Sequence, residues 1–179
     1  MNNKRILTIS ILSMFTVIIL TVAIILFSVN KREKMLTENM IMIKSNYANF
    51  SANISDNLEI RTELTNKITE FKAETYEEER GNFSDILNKY DKNIRYVDAL
   101  VKDMESRCKY NYEDTTVKLL CRGYDALYEE TINNYISSIN AYNEKITKYN
   151  ETAETKQELH TLIHKEYIDY DKDGEYEGK

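Results

Sequence analysis

Three stretches of the chain repeat apolar residues every seven positions, and the three repeats are in register with one another. From Leu36 onward, Met40, Ile43, Tyr47, Phe50, Ile54, Leu64, Ile68 and Phe71 keep an alternating four-three spacing, with Asn57 and Arg61 as its polar members. A second seam runs through Phe83, Leu87, Tyr90, Ile94, Val97, Val101, Met104 and Cys108. In a third, Cys121, Tyr128, Tyr135, Tyr142 and Tyr149 recur every seven residues, with Ile132, Ile139 and Ile146 between them. Such spacing marks helices that bury one stripe against a neighbour.

In an antiparallel hairpin, facing core positions have residue numbers with a constant sum. Phe71 with Phe83, Ile68 with Leu87, Ile54 with Val101 and Phe50 with Met104 satisfy this to within one, and so does Tyr47 with Cys108. Cys108 with Cys121, Val101 with Tyr128, Ile94 with Tyr135, Leu87 with Tyr142 and Phe83 with Ile146 share a second constant. The expected fold is all-α: an elongated antiparallel three-helix coiled-coil bundle over residues 30–151, with helices at about 31–75, 83–109 and 115–151 and left-handed packing. The lack of any Pro and the presence of only four Gly agree with long helices. Gly81 and Asn82 predict a turn over 76–82, and Asp114, Thr115 and Thr116 are cap candidates for the third helix. Asn57 and Arg61 either form a polar layer that fixes register, or the helix rotates and Leu58 and Ile60 take their place. A short fourth helix is expected over 152–168, with Leu159, Leu162, Ile163 and Tyr167 on one face.

Residues 6–29 carry no charge. At about 1.5 Å per residue this stretch exceeds the roughly 30 Å hydrocarbon core of a bilayer, which predicts a transmembrane helix after a five-residue cytoplasmic N-terminus. The rival is a cleaved signal peptide, with Thr21-Val22-Ala23 as the small-residue site. That site lies inside the apolar run, so an uncleaved single-pass signal-anchor is the expectation. Lys4 and Arg5 before the span and Lys31, Arg32 and Lys34 after it leave orientation undecided. Cys108 and Cys121, an even pair in one layer of the bundle, predict a disulfide and thus an oxidising compartment. The alternative is two buried free thiols in a cytosolic bundle. The expected topology puts the N-terminus in the cytoplasm and the bundle outside the cell membrane, with the lipid bilayer as partner of residues 6–29.

The acidic tail, 169–179, matches the first half of an EF-hand calcium loop. Asp169, Asp171 and Asp173 supply oxygens at alternate positions, Gly174 follows, and Glu175 and Glu177 add carboxylates. The twelfth-position carboxylate is missing, so weak calcium binding is the most that the pattern implies, against a solvated acidic tail. His160 and His164 would share one face of a helix, with Glu158 and Glu166 nearby, as a zinc site needs; two surface histidines are the plainer reading. The tyrosine ladder reads as core, each phenol requiring a hydrogen-bond partner. Tyr142-Asn143 and Tyr149-Asn150 on a membrane-anchored bundle resemble the LemA family of bacterial membrane proteins, in composition and over these few residues only.

The net charge of −6 argues against nucleic acid, whose phosphates need clustered Lys and Arg. No nucleophile has a recognisable base and orienting partner, and there is no phosphate-binding Gly-rich loop, so no enzyme and no cofactor beyond weak calcium are expected. The function expected is that of a noncatalytic interaction or scaffold module, with a protein partner or self-association. The alternative is an extracytoplasmic ligand or weak calcium sensor.

Overall fold

The computed structural model describes residues 3–163, with side chains from residue 14 on. Helix α1 spans Asn3–Thr69, 67 residues without a break, or about 100 Å at 1.5 Å per residue. A short 3-10 turn, Ala73–Thr75, leads into α2, Tyr76–Cys108, and α3 follows over Thr115–Thr152. The three helices pack together as an up-down-up bundle. Residues expected to form a separate anchor and first bundle helix thus belong to one rod. Its N-terminal part contains a window of mean hydropathy 2.1, none of which is buried. Met14 is 67% exposed and Phe27 72% exposed. Apolar surface left uncovered on this scale suits a membrane span or a signal sequence.

The seams meet as their spacing predicts. Ile43, Phe50, Leu64, Phe83, Tyr90, Ile94, Val97, Met104, Tyr135, Ile139 and Ile146 are all buried in one core. Phe71 meets Phe83 at 6.1 Å between ring centroids, Phe83 meets Tyr142 at 5.3 Å, and Tyr90 meets Tyr135 edge-on at 5.1 Å. Edge-on and tilted aromatic pairs at these separations add to the area they bury. Asp114 caps α3 as expected, its Oδ1 accepting from the Val117 N–H at 3.0 Å. The Lys44 ammonium at 2.7 Å, aided by that N–H, holds the Asp114 carboxyl below the usual carboxylate range.

Three boundaries differ from expectation. The first helix ends at Thr69 rather than near residue 75, and the turn lies at 70–75 instead of 76–82. Helix α2 therefore begins seven residues earlier than Phe83. Its first turn carries Glu77, Glu78 and Glu79, which favour the positive end of a helix, while buried Tyr76 fixes the entry against Phe71 and Phe83. Gly81 sits inside the helix as an ordinary helical residue with open space where a side chain would be. The short helix expected over 152–168 does not form through residue 163: residues 153–163 are non-helical and lie back along the bundle.

The seam of α1 is rotated slightly from the apolar pattern. Asn39, Asn46 and Asn57 are buried, Met40, Tyr47 and Arg61 are half-buried, and Ile60 is buried beside them. Asn39 and Asn46 have partners on α2. Arg107 donates to Asn39 Oδ1 at 2.8 Å and to Asp103 at 2.6 and 2.9 Å, and Asn46 donates to Asp103 Oδ2 at 2.5 Å. The Arg107 guanidinium holds the Asp103 carboxyl below its ordinary range. Next to this network, Cys108 and Cys121 form a disulfide with their Cα atoms 5.5 Å apart.

At Asn57 both expected alternatives hold in part: Asn57 remains buried at 4% exposure, Ile60 joins the core, and Leu58 stays 58% exposed. Neither polar atom of the Asn57 amide has a hydrogen-bond partner among the described residues. The side chain borders a small cleft of about 150 Å³, shared with Arg61, Glu130 and Thr131. A buried amide without partners costs roughly 1–3 kcal/mol. Asn57→Leu is therefore expected to stabilise the chain by about 1–2 kcal/mol, read as a higher thermal midpoint by circular dichroism. A lower midpoint would show that the amide is satisfied through the cleft.

Candidate functional site: a strap across α2 and α3

The non-helical segment after α3 is held by carboxamides. Asn150 donates from Nδ2 to the Gln157 carbonyl at 2.8 Å, and its Oδ1 accepts from the Gln157 N–H at 2.7 Å. Asn143, seven residues earlier, repeats the arrangement on His160, donating to its carbonyl at 2.9 Å and accepting from its N–H at 2.8 Å. The Ile163 N–H then donates to the Tyr135 hydroxyl at 3.4 Å. Seven helical residues rise about 10.5 Å, and three extended residues span about 10 Å. The two periods therefore match, and the strap runs antiparallel to α3, setting every third residue against Asn150, Asn143 and Tyr135, which are seven and eight helical positions apart.

Side chains from α2 complete the hold. His160 Nε2 lies 3.1 Å and 3.2 Å from the two carboxylate oxygens of Asp91, which also accepts from the Tyr135 hydroxyl at 2.7 Å. Gln157 Nε2 donates to Glu77 at 3.1 Å, the same carboxylate oxygen that accepts from Tyr149 at 2.9 Å. Between the strap and α2 lies an open cleft of about 820 Å³, walled by Arg80, Ser84, Asn88, Asp91 and Arg95 on one side, with Tyr76 and Tyr142 also lining it.

The tyrosine ladder obtains the partners it requires. Tyr149 bonds Glu77, Tyr135 bonds Asp91 and Tyr128 bonds Asp98 at 2.8 Å; the residue numbers in these three pairs again share one sum. Tyr142 instead meets the Tyr76 hydroxyl at 3.0 Å. Burial pushes the Tyr142 phenol well above its ordinary range, and so does the Tyr76 contact. Burial, then the Asp91 carboxylate, does the same to Tyr135, and burial raises Tyr90. These phenols keep their protons at neutral pH, and that of Tyr135 donates to Asp91.

Because the folded-state pKa values of Tyr135 and Tyr142 lie above the unfolded value of about 10, their contribution to stability is complete below that pH and is lost as pH rises beyond it. An alkaline titration is expected to show exposed tyrosines ionising first. The buried phenols should then appear together with loss of helical circular dichroism. A single phenolate step with helicity intact would contradict this environment.

The structure places the expected site residues as follows. Cys108 and Cys121 are joined. His160 lies on the non-helical strap beside Asp91, and His164, its partner in the zinc pattern, lies outside the described residues. Among the described residues no group of three or more His, Cys, Asp or Glu side chains is placed to hold a metal ion. Asp169, Asp171, Asp173, Glu175 and Glu177 lie outside the described residues. Sequence reasoning missed Asn143 and Asn150 as a pair with a shared role, and Glu77 and Asp91 as their counterparts on α2. The seven-residue spacing of the asparagines was the available signal.

No family model matches the chain, and no curated protein or solved structure matches it either.

Proposed function

We propose that the chain is a noncatalytic, membrane-anchored interaction module that presents its bundle on the extracytoplasmic side and engages a protein partner at the strap-covered end. The observation that carries this reading is the unbroken α1, which joins an uncovered apolar segment directly to a packed core. From residue 30 to the layer of Leu64 the helix rises about 50 Å, so the cleft would stand well clear of a bilayer holding residues 6–29. The disulfide supports the extracytoplasmic placement, since such bonds persist in oxidising compartments. The open cleft lined by polar side chains supports binding.

Two experiments in intact cells test it. A membrane-impermeant maleimide should label Cys108 and Cys121 only after reduction; labelling that needs permeabilised cells and no reductant would sink the topology. A photo-crosslinking residue at Asn88, on the cleft wall, should give a discrete protein adduct that the same residue at exposed Glu59 does not. The absence of any adduct from either position would remove the interaction reading.

A further inference from the structure

We infer that the face of α3 carrying Asn143 and Asn150 is a binding site for an extended polypeptide, and that the strap is its resident occupant, replaced by a matching segment of a partner protein. This rests on the reading of the chain as an interaction module and names the class of partner.

Four of the strap's bonds go from the two carboxamides to peptide N–H and C=O groups. Every residue but proline supplies both groups, so this part of the recognition is independent of side chains, as in strand addition to a sheet edge. The register is imposed by geometry: only an extended chain puts residues three apart at the spacing of two helical turns. Selectivity comes from α2. Glu77 and Asp91 each accept from a strap side chain, Gln157 and His160, so a matching peptide carries hydrogen-bond donors at two positions three residues apart.

The resident segment is held in a way that permits exchange. None of residues 153–163 is fully buried, and Leu159 is 50% exposed. A segment with so little apolar burial opens at small cost compared with the bundle. Its tether to α3 gives it an effective concentration of order mM, which a partner peptide must exceed in strength or in local concentration.

The probe is a fluorescein-labelled synthetic peptide with the sequence of residues 153–163, titrated into the full chain in detergent. Gln157→Pro with His160→Pro removes the two strap N–H groups that donate to Asn150 and Asn143 and leaves the sequence of α2 and α3 unchanged. This variant is expected to bind the peptide at least ~10-fold more tightly than the unaltered chain, because the site is no longer occupied in cis. Adding Asn143→Ala and Asn150→Ala should cancel the gain, with helicity by circular dichroism unchanged. Equal binding by the unaltered and proline variants, or a gain that survives loss of both asparagines, overturns the assignment. If the unaltered chain has twice its monomer mass and the proline variant does not, the occupant is the strap of a second copy, and the partner-peptide assignment falls. Failure here with a persisting adduct from Asn88 would remove the peptide site and leave the interaction module standing.

Discussion

Replacing Tyr135 by alanine is expected to lower the unfolding free energy by about 3–5 kcal/mol, the cost of removing a large buried ring. Tyr135 has no solvent exposure and packs edge-on against Tyr90, and its hydroxyl joins Asp91 on α2 to Ile163 on the strap. The ring and the hydroxyl separate experimentally. Tyr135→Phe keeps the ring contact and removes one donor from Asp91, which retains His160, so its cost should be about 1–1.5 kcal/mol. The two variants should also differ in where they act. Hydrogen exchange in the phenylalanine variant should rise at Ile163 and its neighbours, with the helix cores unchanged. Urea denaturation followed by circular dichroism gives the first comparison. Equal losses in both variants would mean that the hydroxyl, and not the packing, dominates at this position.

Removal of the disulfide by Cys108→Ser with Cys121→Ser is expected to cost about 3 kcal/mol, mostly by enlarging the unfolded ensemble. The bond closes a sequence separation of 13 residues around the α2–α3 connection. Without it, this end of the bundle depends on the Asn39, Arg107, Asp103 and Asn46 network, on Asp114 with Lys44 and Val117, and on Tyr112 donating to the Arg107 carbonyl at 2.7 Å. The two ion pairs among them, Lys44 with Asp114 and Arg107 with Asp103, are partly exposed, where such pairs contribute little. Reductant added to the unaltered chain should reproduce the loss seen in the double variant. A change under about 1 kcal/mol in both would show that the polar network alone holds the hairpin closed.

The core was legible because helical pairing is arithmetic: apolar residues at four-three spacing in three segments admit few mutual registers, and Cys108 and Cys121 fell into one layer for the same reason. Asn57 stood in the seam of α1, but the burial of Asn39 and Asn46 was not legible. Asn39 and Asn46 are buried because Arg107 and Asp103 stand opposite, and such complementarity between distant residues leaves no mark in local hydropathy. The first turn was misplaced because Gly81 and Asn82 signal a stop more loudly than Glu77, Glu78 and Glu79 signal a start. The strap was mistaken for a helix for a more instructive reason. Leu159, Leu162 and Ile163 are spaced as a helical face, but Gln157, His160 and Ile163, also three apart, are what an extended chain sets against two turns of helix. A spacing of three fits both states, and only the receiving asparagines on α3 decide between them.

The continuity of α1 gears the direction in which the cleft faces to the rotational setting of the apolar segment. Each residue advances a helix by about 100° and 1.5 Å, so one residue inserted between that segment and Leu36 would swing the bundle more than a quarter turn about α1 while hardly raising it. Seven inserted residues would lift it by about 10.5 Å and return it to within about 20° of its original heading. For a chain held in a bilayer, reach and bearing are then both set by the number of residues in one uninterrupted helix, reach growing steadily with that number and bearing cycling with it.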